Sequence, residues 1–414
     1  MIPTNKQPYP LPDSWQWVTL GNVAEIIMGQ SPIGYATTDD SSYMPLIGGA
    51  ADMGDDCPSI TRYTKKPTKL SEKDDVIICV RATLGKPIFS DGKYCLGRGV
   101  AALRSRIVSK DFLRYAMINF EQYLYDNANG TTFLQIASKS LKRMPFPLPL
   151  IDEQQRIVAL LDELFSKLDE AKALAQAVVD GSELRRTAIL HKAFTGELSK
   201  IWRDEHGITL DSWQQIQLGD VCQINPPKIS TRNLSDDLKV SFVPMAAVSD
   251  VRGEITVPQR KNLCEVKSGF TNFAEGDVLF AKITPCMENG KAALVDKLVN
   301  HIGYGSTEFF VLRCGEKIFN RFVYHLVRWK IFRDEAKSVM AGAVGQQRVP
   351  KQFLTGYQLN LPPLEEQKEI VRLFDDLLGR EQRTKDIALQ TIEHVETMKK
   401  SILARAFRGK LSTK

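Results

Sequence analysis

Two long stretches of the chain repeat hydrophobic residues at alternating spacings of four and three positions. In the first stretch the positions are Ile157, Leu161, Leu164, Leu168, Ala171, Ala175 and Val178. In the second they are Ile370, Phe374, Leu377, Ala388, Val395, Met398 and Ile402, with interruptions at Glu381 and Thr384. Because this spacing lines one narrow face of a helix, each stretch predicts a helix that pairs with another in a coiled coil.

Boundary signals fix the extent of these helices. The first follows Pro149, carries Asp152 and Glu153 in its first turn, where they complement the helix dipole, and stops at Gly196. The second copy has the same signals. Each helix is predicted to run about 43 residues, or roughly 65 Å.

The rest of the chain contains both strand-like and helix-like hydrophobic patterns. The runs DVIICV, VAALR, DVLFAKI and FFVLR predict short strands, whereas DFLRYAMINFEQYLYDN and RFVYHLVRWKIFRDEAK have helical periodicity. Each of these remaining segments is therefore predicted to be a mixed α/β domain, which gives an α+β protein.

The chain is an internal duplication. When residues 148–198 are laid on 361–411 without a gap, 18 of 51 positions are identical, against about three expected by chance. The lead-in WQWVTLGNV likewise matches WQQIQLGDV. The predicted domains are 1–147, 148–198, 199–360 and 361–414. The two helices are expected to pair with each other, and pairing with another subunit is the alternative.

Composition adds little to this picture. The chain has 414 residues, 43% of them hydrophobic and 25% charged, with a net charge of +6, which weakly favours a polyanionic partner. We identify no signal peptide or membrane segment and expect a cytoplasmic location. The spacing of the seven cysteines excludes CxxC metal sites.

Two strings invite an enzymatic interpretation. Asn225-Pro226-Pro227 resembles the catalytic loop of amino-methylating DNA methyltransferases, but the fourth residue is Lys228 where those enzymes stack an aromatic ring on the base. Asp250 with Glu265-Val266-Lys267 resembles a magnesium-binding nuclease string. No phosphate-binding loop, GxGxxG or HExxH is present, so a rigid turn and chance are the favoured explanations.

Two variable α/β domains, each followed by a helix that opens with LPxxxEQxxIV and ends with AFxGxL, resemble the specificity (S) subunit, or HsdS family, of type I restriction-modification systems. The resemblance covers the whole chain. It implies two DNA target-recognition domains and two helices packed antiparallel, which set the spacer of an asymmetric bipartite site and dock two modification subunits.

The resemblance also implies a chain without catalysis or cofactors of its own. S-adenosylmethionine, ATP and magnesium would belong to the modification and restriction subunits, which act together in phage defence. Two alternatives remain: a self-contained adenine-N6 DNA methyltransferase or nuclease with fused recognition domains, and a structural coiled-coil protein.

Base reading needs Arg, Lys, Gln, Ser and Thr side chains on loops. In the first domain the candidates are Arg81, Thr83, Lys86, Arg98, Thr131, Thr132 and Gln135. In the second they are Lys228, Arg232, Lys282, Thr284, Lys291, Ser306, Thr307, Gln346, Gln347 and Arg348. Lys65, Lys66, Arg260 and Lys261 are predicted to contact phosphates.

Overall fold

A computed structural model describes residues 7–130, 133–343 and 345–411. The chain divides into two compact units, one formed by Met1–Gln176 with Leu389–Lys414 and the other by Ala177–Ala388. Each unit contains one α/β segment and parts of both long helical stretches. The predicted fold class is confirmed.

The first part of the chain forms the elements β1 Gln16–Thr19, α1 Leu20–Val23, β2 Ala24–Met28, β3 Thr37–Thr38, β4 Met44–Ile47, β5 Tyr63–Thr64, β6 Val76–Arg81, β7 Thr83–Phe89, β8 Cys95–Leu96, β9 Val100–Ser105, α2 Lys110–Asn119, α3 Glu121–Asp126, α4 Ser138–Lys142, β10 Pro145–Leu148 and α5 Ile151–Asp180.

The remainder forms α6 Ser182–Phe194, α7 Lys200–His206, β11 Gln214–Gln217, α8 Leu218–Val221, β12 Cys222–Ile224, β13 Lys239–Val243, β14 Gln259–Asn262, α9 Leu263–Val266, β15 Thr271–Phe273, β16 Val278–Ala281, β17 Ala292–Leu294, β18 Gly303–Gly305, β19 Phe309–Cys314, α10 Asn320–Arg328, α11 Lys330–Ser338, α12 Lys351–Gly356, β20 Gln358–Leu361 and α13 Leu364–Ala406.

The sheets show the duplication directly. The four-stranded order β2-β9-β6-β7 in the first unit matches β12-β19-β16-β17 in the second. A second four-stranded sheet in each unit contains one parallel pair, β4 with β8 and β13 with β18. The two-stranded ribbons β1-β10 and β11-β20 also correspond. The first sheets and the ribbons therefore share one topology, whereas the second sheets differ in strand order, β3-β5-β4-β8 against β14-β13-β18-β15.

Strand β6 is buried along almost its whole length because its two faces belong to different cores. Val76, Ile78 and Val80 pack into the core that includes α2, whereas Ile77 and Cys79 pack with residues of the second sheet. Side chains alternate across a strand, so a run without polar positions is required here. β16 shows the same division in the second unit.

Each unit holds an antiparallel pair of segments from the long helices. In the first unit Lys172 of α5 lies 2.5 Å from Glu396 of α13, and Asp169 pairs with Lys399. In the second, Arg185 of α6 binds both carboxylate oxygens of Glu381, at 2.8 and 2.9 Å. The helical pairing is thus within the chain.

Burial differs along the coiled-coil seam. The buried seam residues are Ile157, Leu161, Ala175, Ile370, Phe374, Ala388 and Val395. Those of intermediate exposure are Leu164, Leu168, Ala171, Val178, Leu377 and Ile402. Met398 is 50% exposed, and Leu403 is buried instead. An α-helix drifts by about 20° per heptad relative to a 3.5-residue repeat, which moves the apolar face off Met398.

The helix α13 has the predicted 43 residues, but the first long helix is divided at Gly181 into segments of 30 and 13 residues. The Arg185 side chain donates to the Val178 carbonyl at 2.5 Å, which gives that carbonyl a partner beside the break. The helix predicted in each α/β domain is also divided into two. The first is interrupted at Phe120, and the second is interrupted at Trp329, whose ψ of 132° is extended.

A glutamine side chain at the start of each long helical stretch forms a hydrogen bond to the backbone of the adjoining α/β domain. Gln154 accepts from the Ser109 N–H at 2.9 Å and donates to Pro149. Gln367 accepts from the Phe319 N–H at 2.8 Å and donates to Pro362. This explains the Gln of the duplicated EQ motif, because its amide satisfies backbone groups of two elements at once.

The Glu of that motif is fully buried in the second unit. Arg203 of α7 lies 2.6 Å from Glu366, with side-chain exposures of 8% and 0%. Arg203 also donates to Ser199 and to the Gly196 carbonyl, and the indole N–H of Trp213 donates to Glu366 at 2.9 Å. The carboxylate is therefore both neutralised and hydrogen-bonded, as burial of a charge requires.

A second contact between domain and helix differs chemically between the units. Tyr115 of α2 donates to Asp162 at 2.5 Å. In the second unit the corresponding residues are His325 and Asp375. The Nε2 atom of the buried His325 ring lies 3.3 Å from Asp375, but the two groups are not aligned for a hydrogen bond. Arg321 forms an ion pair with Asp375 at 2.8 Å. Burial, only partly opposed by Asp375, lowers the pKa of His325.

This histidine predicts acid sensitivity of the second unit. Because the folded-state pKa lies below the usual value of about 6.5, the unfolded state binds more protons at acidic pH. The free energy of unfolding is expected to decrease as the pH falls below about 6.5, and less so in His325→Gln. Urea unfolding of both proteins at a series of pH values measures this, and identical pH slopes would contradict it.

Candidate functional site

In the first unit, the turn between β6 and β7 meets the segment before α4. Arg81 forms an isolated β-bridge with Gln135. Thr83 and Lys86 are exposed in the first half of β7, which follows that turn, and Lys86 has a left-handed φ of 54°. The structure therefore brings together four of the predicted residues from two separate parts of the sequence.

The equivalent loops meet in the second unit. The Thr284 N–H donates to the Gln347 carbonyl at 3.0 Å, and the Gln347 N–H donates back to Thr284 Oγ1 at 3.2 Å. Lys282 places its ammonium 5.5 Å from the centre of the Phe310 ring. Arg348 follows Gln347 directly. The same frame thus presents a different set of side chains in each unit.

Arg348 is held by a carboxylate. Its Nη2 and Nε lie 2.7 and 3.0 Å from the two oxygens of Glu308, and these hydrogen bonds lower the pKa of Glu308. Ser306 accepts from the Glu308 N–H, so Ser306 and its neighbour Thr307 lie at the same site. Arg348 keeps 43% of its side chain exposed, and its Nη1 donates to the Gln346 carbonyl at 3.0 Å.

The remaining predicted residues are placed separately. Exposed side chains belong to Arg98, Lys228, Arg232 and Gln346. Lys291 is half-buried and donates to the Met245 carbonyl at 3.2 Å, which favours a structural role. Thr131 and Thr132 lie outside the described residues.

Tyrosines accompany the predicted phosphate-contacting lysines. Lys65 lies 5.1 Å from the centre of the Tyr43 ring, and Lys66 lies 5.2 Å from that of Tyr35, which is 74% exposed. In the second unit Lys261 lies 4.4 Å from the Phe242 ring, and Arg260 beside it is exposed. No local sequence pattern indicates these tyrosines, because each lies about twenty or more residues from its lysine partner.

Asn225 has a structural role. Its backbone is left-handed, with φ 54°; its N–H donates to the Val311 carbonyl at 2.7 Å, and its Oδ1 accepts from the Val311 N–H at 3.0 Å. The side-chain oxygen that a methyltransferase loop would offer to a base is therefore already bonded. Asn225 ends β12 and turns the chain towards the exposed Lys228.

The nuclease-like string is also dispersed among structural contacts. Glu265 accepts from the Asn262 N–H at 3.1 Å, and Lys267 pairs with Asp236 at 2.6 Å. Asp250 accepts from the next backbone N–H. Across 7–130, 133–343 and 345–411, no three His, Cys, Asp or Glu side chains are grouped as metal ligands.

Comparison with protein families identifies the two copies. The model described as "Type I restriction modification DNA specificity domain" matches residues 12–178 and again 211–394. The chain belongs to this family. The matched ranges include both α/β domains and most of both long helical stretches, so the specificity-domain architecture accounts for the internal repeat.

Curated relatives carry corresponding names. The chain is 40% identical to the EcoAI specificity subunit of Escherichia coli over 41% of its own length and 28% of that protein. It is 33% identical to the EcoEI subunit of Escherichia coli over 50% and 35%. The matches thus span about a third of those relatives. The StySPI subunit of Salmonella potsdam matches at 23% over 97% and 90%.

Solved structures share the fold. The HsdS subunit from Thermoanaerobacter tengcongensis superposes with a TM-score of 0.66 at 21% identity, covering 99% of this chain and 100% of that one. A chain from a study of assembly and conformational transition of the type I R-M system gives 0.70 at 20% identity, covering 98% and 100%. Within the described residues, no helix is long and apolar enough to cross a membrane.

Proposed function

We propose that this chain is the DNA-specificity subunit of a type I restriction-modification complex. Each recognition domain reads one half of an asymmetric bipartite site in double-stranded DNA, and the helix pair sets the spacer and docks two modification subunits. The chain is non-catalytic and acts in the cytoplasm, in phage defence. This reading is favoured over a self-contained methyltransferase or nuclease.

The observation that carries the proposal is the pair of equivalent loop sites. One topology presents Arg81, Thr83 and Gln135 in the first unit, and Lys282, Thr284 and Arg348 in the second. Base readout depends on donor and acceptor patterns. A conserved frame with different donors therefore fits two different half-sites. A catalytic loop would need the same groups in both copies.

The cofactors follow from this division of labour. S-adenosylmethionine would bind the modification subunits, and ATP with magnesium would bind the restriction subunits.

The length of the helices is compatible with the proposed spacer. The 43 residues of α13 correspond to about 65 Å, and two half-sites one turn of DNA apart need about 35 Å.

Mapping methylated adenines in host DNA with and without this gene tests the proposal. Loss of one bipartite methylated motif is the expected result. An unchanged set of methylated motifs would contradict a specificity role. Binding of S-adenosylmethionine by the isolated chain would favour the methyltransferase alternative.

Lys228 gives a residue-level prediction. Its side chain is exposed on the loop that leaves Asn225, where an ammonium can neutralise a phosphate. Lys228→Ala is expected to weaken DNA binding on all sequences and to reduce the salt dependence of log K by about one unit. Fluorescence anisotropy at several salt concentrations measures both. Unchanged affinity and slope would remove Lys228 from the interface.

A further inference from the structure

The frame around Glu366 is repeated in the first unit. Trp15 lies one residue before β1 and Trp213 one residue before β11, and these strands pair with β10 and β20 in the same register. The helices α5 and α13 begin three residues after β10 and β20 end, and Glu153 and Glu366 are their third residues. Trp15 and Glu153 are therefore the structural counterparts of Trp213 and Glu366.

Their contacts are nevertheless different. Trp15 is only 5% exposed, and among the described residues its buried indole nitrogen has no hydrogen-bond partner. Glu153 is of intermediate exposure, and within the described part of the chain its carboxylate forms no ion pair. Gly409, the counterpart of Gly196, packs on Pro12 much as Gly196 packs on Leu210. The first unit thus has the acceptors of the Arg203 site without a described arginine.

Electrostatics explains the unpaired indole. A carboxylate is costly to bury unless a cation and hydrogen bonds compensate it. Glu366 is buried because Arg203 neutralises it, and it then accepts the Trp213 N–H. Arg408, which precedes Gly409 in the sequence, lies 5.0 Å from the Tyr9 ring, and no ion pair joins these two described residues, Arg408 and Glu153. Without a cation, Glu153 stays at the solvent edge and Trp15 lacks its acceptor.

We propose that Trp15, Glu153 and the Gly409 carbonyl form a binding niche for an arginine or lysine side chain of the modification subunit. This inference rests on the proposed function, which supplies that partner. The incoming cation takes the place that Arg203 has in the second unit, between a carboxylate, a main-chain carbonyl and an indole. Binding draws Glu153 inward, where it accepts the Trp15 N–H.

The chemistry of the niche selects its occupant. A carboxylate and a carbonyl accept hydrogen bonds from a cation and repel phosphate, so DNA is excluded as the ligand. The aromatic face of Trp15 adds a surface on which a guanidinium stacks, as Arg203 does at 5.9 Å from the Trp213 ring centre. A basic side chain on a partner protein satisfies all three groups.

The test compares Glu153→Gln with Glu366→Gln in the full chain. Affinity for the cognate modification subunit is measured by isothermal titration calorimetry, and the melting temperature of each unbound variant by calorimetry. Glu153→Gln is expected to weaken the complex by about tenfold or more while leaving the melting temperature of the chain unchanged. Glu366→Gln, whose cation is internal, is expected to show the reverse.

Two results would overturn the inference. One is a Glu153→Gln chain that binds the modification subunit as tightly as the unsubstituted chain. The other is a Glu153→Gln chain that loses as much melting temperature as Glu366→Gln, which would mean that a cation of the same chain fills the niche. If the unsubstituted chain binds no modification subunit, the proposed function itself fails.

Discussion

Replacing Arg203 with alanine is expected to lower the free energy of unfolding of the second unit by about 3–5 kcal/mol. The substitution leaves the carboxylate of Glu366 fully buried without a counterion, and it removes the hydrogen bonds to Ser199 and the Gly196 carbonyl. Urea unfolding followed by tryptophan fluorescence measures the loss, because Trp213 belongs to the same cluster.

Two controls separate charge from packing. Lys200→Ala on the same helix removes an exposed ion pair with Asp204, 68% and 61% accessible, and is expected to have little effect. The double variant Arg203→Ala/Glu366→Gln removes the buried charge as well, and is expected to recover part of the stability. If the double variant recovers none, lost packing rather than an uncompensated charge causes the destabilisation.

The second large effect is expected on DNA recognition. Arg348→Ala is expected to weaken binding to the specific site by about 10- to 100-fold, with a much smaller change on unrelated DNA. The physical reason is that Glu308 fixes the direction of the guanidinium through two hydrogen bonds, and a fixed planar donor discriminates between bases. Competition binding with specific and unrelated duplexes measures the ratio.

Matched variants keep this prediction specific to the site. Arg252→Ala removes the same charge from an exposed arginine of the same unit, which pairs with Glu254 at 3.3 Å, and is expected to leave discrimination unchanged. Glu308→Gln is expected to relax specificity while retaining the positive charge. Equal losses on specific and unrelated DNA in Arg348→Ala would show that Arg348 contacts phosphate instead of a base.

INPPKIS invites a catalytic interpretation because Asn, Pro and Pro stand in the right order. In the structure, the side-chain amide oxygen of Asn225 accepts a hydrogen bond from the Val311 N–H. A short motif records residue order, whereas chemistry requires a free group at a defined position. The bonded amide therefore supports the turn that the sequence analysis favoured.

The sequence by itself determined the duplication, the fold class and the positions of the long helices. These features depend on local periodicity, on the acidic first turn and on glycines such as Gly196 and Gly409, whose φ values of 81° and 65° end the helices. Such signals are contained within a few consecutive residues. The candidate residues Arg81 and Arg348 could be named in the same way, from their residue type and their places after strands.

Only the tertiary structure decided which of those residues act together. The approach of Arg81 to Gln135, the fixing of Arg348 by Glu308, and the burial of Glu366 against Arg203 join residues that are 40 to 163 positions apart. Burial of a charge depends on a partner from another element, and no local pattern encodes that partner. For this reason Glu153 and Glu366 look alike in the sequence, and only the structure separates the paired carboxylate from the open one.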